Sequence, residues 1–132
     1  MTDIEALAKT IYGESRGESQ EGQIAVGFTV INRLALNTWY GHSVTEVCLK
    51  PYQYSCWLKS DPNRSKLDSL SLESEELQPF VDIAYQVINS QINDSSLGST
   101  HYYAVYINPP AWIFQATFTV QIGQHRFYKD VK

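Results

Sequence analysis

Two carboxylates bracket a glycine-marked break in the segment Ile11–Arg33, IYGESRGESQEGQIAVGFTVINR. Glu14 ends an apolar helical pattern and stands beside aromatic residues. A carboxyl in such surroundings is biased toward its neutral, proton-donating form, which is what a general acid requires. Cleavage of a glycosidic bond needs such a donor for the leaving oxygen. A Glu at a helix end also serves as a solvated or capping group, so position alone leaves both roles open. Glu18 follows four residues later. In a continuous helix the two Cβ atoms would stand about 5–6 Å apart, which would suit a retaining carboxylate pair. Gly17 is expected to break the helix instead, leaving Glu18 just before the next helix, where its charge favours the free N–H groups.

The other reactive side chains form no recognisable constellation. His42, His101 and His125 are too scattered for a zinc spacing, and no HExxH, glycine-rich phosphate loop or GxSxG elbow is present. The expectation is no metal and no cofactor, with a site assembled from the three histidines as the alternative. Cys48 and Cys56 are read as buried or partly buried free thiols. The aromatic groups Tyr52/Tyr54/Trp57, Tyr102/Tyr103/Tyr106 and Trp112 suit a core or a sugar-binding cleft. Polar neighbours such as Gln53, Ser55 and Asn108 favour placing some of them in a cleft.

The elements that must position these groups follow from periodicity and turn chemistry. Asp3 is expected to cap a helix over 4–15, with Ile4, Leu7, Ala8, Ile11 and Tyr12 as its stripe. Ser19 caps a second, central helix over 20–37, stopped by Asn37. Ser43-Val-Thr-Glu46 fits a capping box for a short helix over 44–49. Residues 52–57 read as extended, 59–71 as a surface loop, and 73–91 as a helix with Pro79 near its first turns. Asn93–Gly98 is turn chemistry. A strand is predicted over 101–106, then a Pro109-Pro110 break, then two short strands in 117–128 joined around Gly123-Gln124. The fold class is mainly α (α+β), with a small antiparallel β element near the C-terminus.

At 132 residues the chain is expected to form one domain, 1–132. Hydrophobic residues at 43% and charged ones at 18% are those of a globular chain. A formal net charge of −4, without a Lys/Arg run, argues against a nucleic-acid partner. No apolar run approaches the roughly 18 residues of a membrane span, so no membrane insertion is expected. The N-terminus has no basic and apolar signal regions, and cytoplasmic synthesis followed by release is the corresponding expectation.

The Ile11–Arg33 run resembles the opening motif of the SleB/CwlJ-type cell-wall hydrolases, GE-x-RGE…GQ-x-AV…NR. It is matched by Gly13-Glu14, Arg16-Gly17-Glu18, Gly22-Gln23, Ala25-Val26 and Asn32-Arg33. Tyr52–Trp57 is similar to that family's Q-F-S-C-W block. Asp94 through Gly98 to Tyr102-Tyr103 is similar to its D-x-T-x-G-A-x-x-Y-Y block. Trp112, Ile122–His125 and Phe127-Tyr128 are similar to its W…IG-x-H-x-F-Y ending. Ser96 and Ser99 depart from the family's usual Thr and Ala, and 58–72 match nothing specific.

The resemblance implies a lysozyme-like, lytic-transglycosylase-like domain. It would cut the glycan strand of peptidoglycan between N-acetylmuramic acid and N-acetylglucosamine, with Glu14 as acid and base. Gln53, Ser55, Tyr102, Tyr103 and Thr117 are the residues expected to line the sugar cleft, and a monomer is expected. A hydrolytic muramidase using Glu18, a metal-dependent amidase and a non-catalytic wall-binding or virion structural protein are the alternatives. With no peptidoglycan-binding domain or signal peptide in the chain, a phage-type lysin or virion component is the expected setting.

Overall fold

The computed structural model describes residues 1–132, with five α-helices followed by a three-stranded sheet. Helix α1 spans Asp3–Ser15. Its cap is Thr2, one residue before the expected Asp3: Thr2 Oγ1 accepts from the Glu5 N–H at 3.2 Å. The Asp3 carboxylate is engaged elsewhere, accepting from the N–H and hydroxyl of Thr45 at 3.0 and 2.6 Å. Thr45 lies on α3, Val44–Leu49, so this contact ties the two helices together. The α3 box is shifted. Ser43 Oγ accepts from the Glu46 N–H at 3.0 Å, while the Glu46 carboxylate reaches the His42 N–H at 2.7 Å.

Helix α2, Gln20–Ala35, begins at Ser19, whose hydroxyl accepts from the Gly22 N–H at 3.2 Å. It stops before Asn37, which takes a left-handed φ of 52°. It packs against α1, α3 and α5, and Ala25, Val26, Thr29 and Val30 are wholly buried. Gly27 sets the closeness of α1: a Cβ there would lie 3.1 Å from Ile11 Cδ1.

Three local expectations change. Tyr52–Trp57 is not extended but a turn followed by a 3₁₀ helix, Ser55–Trp57. The Trp57 indole N–H donates to Thr10 Oγ1 at 2.9 Å, which pulls this segment onto α1. The predicted loop over 59–71 contains helix α4, Asn63–Ser69. One fully buried side chain, Leu67, anchors it; burial of a Leu side chain supplies about 1.5–3 kcal/mol, but one anchor makes no periodic pattern. Helix α5 is shorter than predicted, Gln78–Ile88, after a 3₁₀ turn at Glu75–Leu77. Pro79 sits in its first turn, where no N–H is needed.

Strands β1 (His101–Ala104), β2 (Thr117–Ile122) and β3 (His125–Lys129) form an antiparallel sheet in the order β1-β3-β2. Gly123, with φ 56°, turns β2 into β3. Ala25 and Val26 of α2 meet Ile122 and Phe127 of the sheet in a second small core. The loop entering β1 is fixed by α2. Asn32 Nδ2 donates to Asp94 Oδ2 at 3.0 Å and to the Ser99 carbonyl at 2.8 Å. Arg33 Nε donates to the Thr100 carbonyl at 2.6 Å. The central helix therefore sets where β1 lies. The result is the mainly α, α+β architecture expected, and no helix is long and apolar enough to cross a membrane.

Candidate active site

Glu14 stands in the last turn of α1, half-buried, with both carboxylate oxygens occupied. Oε2 accepts from the Cys56 N–H at 2.9 Å and from Ser55 Oγ at 3.5 Å. Oε1 accepts from the Tyr102 hydroxyl at 2.5 Å. The first two donors come from the 3₁₀ turn and the third from β1, so two remote segments aim at one carboxylate.

Local packing explains their closeness. At Gly13 an added Cβ would lie 2.7 Å from Cys56 Cβ and 2.8 Å from Sγ, so only glycine lets the turn rest on α1. Just before the turn, Tyr54 is buried with its hydroxyl 2.8 Å from Thr29 Oγ1, and burial pushes its pKa up to about 12. Burial, and then the neighbouring Glu14 charge, lift the Tyr102 phenol well above its ordinary pKa. Tyr102 therefore keeps its proton at neutral pH and stays a donor to Glu14 Oε1.

Glu14 opens into a cavity of about 410 Å³ lined also by Ser55, Tyr102, Tyr103, Tyr106 and His125, in which it is the only carboxylate. Glu18 does not line it. Helix α1 ends before Gly17, so no helical pair with Glu14 forms. At the start of α2 the capping hydrogen bond is made by Ser19, not by the Glu18 carboxylate. Its Oε1 instead accepts from the Gln124 N–H at 2.9 Å in the β2–β3 turn. A Cβ at Gly123 would lie 2.5 Å from that oxygen. Glu18 thus latches the hairpin to the junction of α1 and α2.

His125, the first residue of β3, lines the Glu14 cavity and also stands near Glu18. Its ring is 4.9 Å from that of Tyr102, and its Nδ1 is 3.9 Å from Glu18 Oε1, with no hydrogen-bond partner. Burial lowers its pKa, outweighing the opposing pull of Glu18 and Glu14, so the imidazole is neutral at pH 7. The ion pair that the distance would suggest is therefore not formed at that pH.

Ser55, Tyr102 and Tyr103 thus join Glu14, while two other predicted cleft residues do not. Gln53 lines a separate pocket, where its Oε1 accepts from Arg33 Nη1 at 3.0 Å. Thr117 is exposed on edge strand β2, opposite Lys129, and lines neither cavity. The residues that sequence reasoning missed are the Cys56 N–H, a backbone donor invisible to residue type, and His125. The IG-x-H block did flag His125, but without a role.

No three His, Cys, Asp or Glu side chains come together as a metal-binding group. His42 and His101 are held by Asn37 and Thr100 on separate segments. Cys48 and Cys56 are free and buried, and burial raises both thiol pKa values, that of Cys48 to about 12.

Comparison with known proteins places this chain in a family. The family model described as Cell Wall Hydrolase matches residues 17–128. A spore cortex-lytic enzyme of Oceanobacillus iheyensis is 29% identical over 135 residues, covering 96% of this chain and 41% of the relative. One from Halalkalibacterium halodurans is 29% identical over 133 residues, covering 95% and 34%. The chain thus spans well under half the length of these relatives. Among solved structures, the catalytic domain of the Bacillus cereus SleB protein superposes with a TM-score of 0.73 at 25% identity, covering 96% of this chain and 89% of that one. The catalytic domain of the germination-specific lytic transglycosylase SleB of Bacillus anthracis gives 0.72 at 25% identity, covering 96% and 93%.

Proposed function

The chain belongs to the cell wall hydrolase family, and from that premise we propose that it cleaves the glycan strand of peptidoglycan as a lytic transglycosylase. The bond cut is that between N-acetylmuramic acid and N-acetylglucosamine, and Glu14 is the acid and base. One observation carries this reading: Glu14 is held at both oxygens on the wall of a cavity that contains no second carboxylate.

In the first half-reaction the Glu14 carboxyl gives its proton to the leaving oxygen as the C1–O bond breaks. The carboxylate so formed is met by donors already in place, the Cys56 N–H and the Tyr102 hydroxyl, which need not reorganise as charge develops. In the second, the carboxylate takes the proton of the muramic acid's own 6-hydroxyl while that oxygen bonds to C1. An internal nucleophile removes the need for a second carboxylate and has the advantage of intramolecular reaction.

The test is mass spectrometry of soluble fragments released from purified peptidoglycan by the wild type and by Glu14→Gln. Ends in 1,6-anhydro-muramic acid, absent with the variant, are the expected result. Reducing muramic ends would mean that water attacks and would return Glu18 to the mechanism. Freed peptides would indicate an amidase, and no fragments a binding protein.

A further inference from the structure

On the other side of Tyr102 lies a second pocket of about 520 Å³, and its chemistry is opposite to that of the Glu14 cavity. Its floor holds Arg33, only 4% exposed, and its walls include Trp39, Tyr40, Gln53, His101 and Trp112. No Asp or Glu lines it, although the chain as a whole carries a net charge of −4.

Arg33 has five N–H donors. Nε is used by the Thr100 carbonyl and Nη1 by Gln53 Oε1, whereas Nη2 makes no hydrogen bond within the chain. The guanidinium carbon stands 4.7 Å from the Tyr54 ring centre and 5.3 Å from that of Tyr40. No carboxylate pairs with it. Two neutral acceptors and two aromatic faces offset only part of the cost of burying a guanidinium. The remaining charge is felt by its neighbour: burial first, and then Arg33, bring the His101 pKa down to about 3. His101 therefore stays neutral, and Arg33 is the buried cation of the pocket, with the exposed Lys132 at its edge adding to the positive charge.

We infer that this pocket binds a carboxylate on the peptide that branches from the glycan strand, through the free edge of Arg33. The aromatic walls exclude water around the pair. The inference rests on the glycan-cleaving reading above and adds the substrate class to it. Tyr102 makes the connection physical: its hydroxyl holds Glu14, and the residue lines both cavities. A strand lying against Glu14 can thus send its side branch past Tyr102 into the second pocket.

The experiment compares initial rates of new glycan ends on two substrates, peptidoglycan strands with free peptide carboxylates and the same strands with those carboxylates converted to amides. A charge-assisted contact predicts that the free-acid strands are cut about tenfold faster at low substrate concentration. Arg33→Gln risks the fold, because Arg33 anchors the loop into β1. Gln53→Glu instead places a carboxylate of the chain's own against Arg33, and is expected to cut the two substrates at one rate. Equal rates with the wild type, or an undiminished preference in Gln53→Glu, would overturn the inference while leaving glycan cleavage intact. Cutting of neither substrate would remove the glycan reading and this inference with it.

Discussion

The Tyr102 hydroxyl oxygen stands 2.5 Å from Glu14 Oε1, joining β1 to the end of α1 across 88 residues of chain. This contact converts a half-buried Glu at a helix end into a carboxyl of fixed orientation. Tyr102→Phe keeps the ring and removes only the donor. A hydrogen bond to a charged group is worth about 1.5–3 kcal/mol, so the rate of glycan cleavage is expected to fall about 10- to 100-fold. Fragment release at saturating substrate, with circular dichroism as a check on the fold, would measure it; an unchanged rate would remove Tyr102 from the machinery.

Gly13→Ala tests the seat of the 3₁₀ turn. In an ordinary helix the change gains about 1 kcal/mol. Here the new methyl would meet Cys56 Cβ and Sγ at 2.7 and 2.8 Å, and overpacking of this kind costs about 1–3 kcal/mol. A net loss of stability in urea is expected, together with reduced activity as the Cys56 N–H moves off Glu14. A variant more stable than the wild type would contradict the packing described.

Glu18→Gln separates latch from catalyst. An amide oxygen still accepts from the Gln124 N–H, so this variant should keep activity within a few-fold of the wild type. Glu18→Ala leaves that exposed N–H to water and is expected to lose about 0.5–1.5 kcal/mol of stability. If Glu18→Gln were as inactive as Glu14→Gln, a two-carboxylate mechanism would replace the one proposed.

Acid should destabilise the fold through two imidazoles, the buried His125 and the half-buried His101. His101 and His125 have folded-state pKa values below the usual value of about 6.5. Between the folded and unfolded values the unfolded chain binds more protons, so stability falls as pH drops. Their contribution is fully present above about pH 7 and declines below about 6.5, for His101 down to about 3. Urea midpoints at pH 7.5 and 5 should show the decline, and His101→Gln should make it shallower. An identical slope in that variant would mean that His101 is not held neutral by the fold.

Much of the scaffold was legible because its signals are local. The stripes of α1 and α2, the hydroxyl caps Ser19 and Ser43, and the β2–β3 turn at Gly123 each depend on residues within a few positions of one another. Helix α4 was not legible, because its hold on the core is Leu67 alone amid polar residues. The start of α1 slipped by one residue because Thr2 and Asp3 are both good caps, and Thr45, far along the chain, takes Asp3.

The site divides in the same way. By itself the sequence determined that Glu14 closes an apolar helix at a glycine-marked break, since helical period and glycine's weak helix preference are written in neighbouring residues. Only the tertiary structure decided that the Cys56 N–H and Tyr102 hydroxyl meet Glu14, that Glu18 turns to Gln124, and that Gln53 serves Arg33. Those pairings run between residues far apart in the chain. They come from how α1, α2 and the sheet pack, which no spacing along the chain encodes.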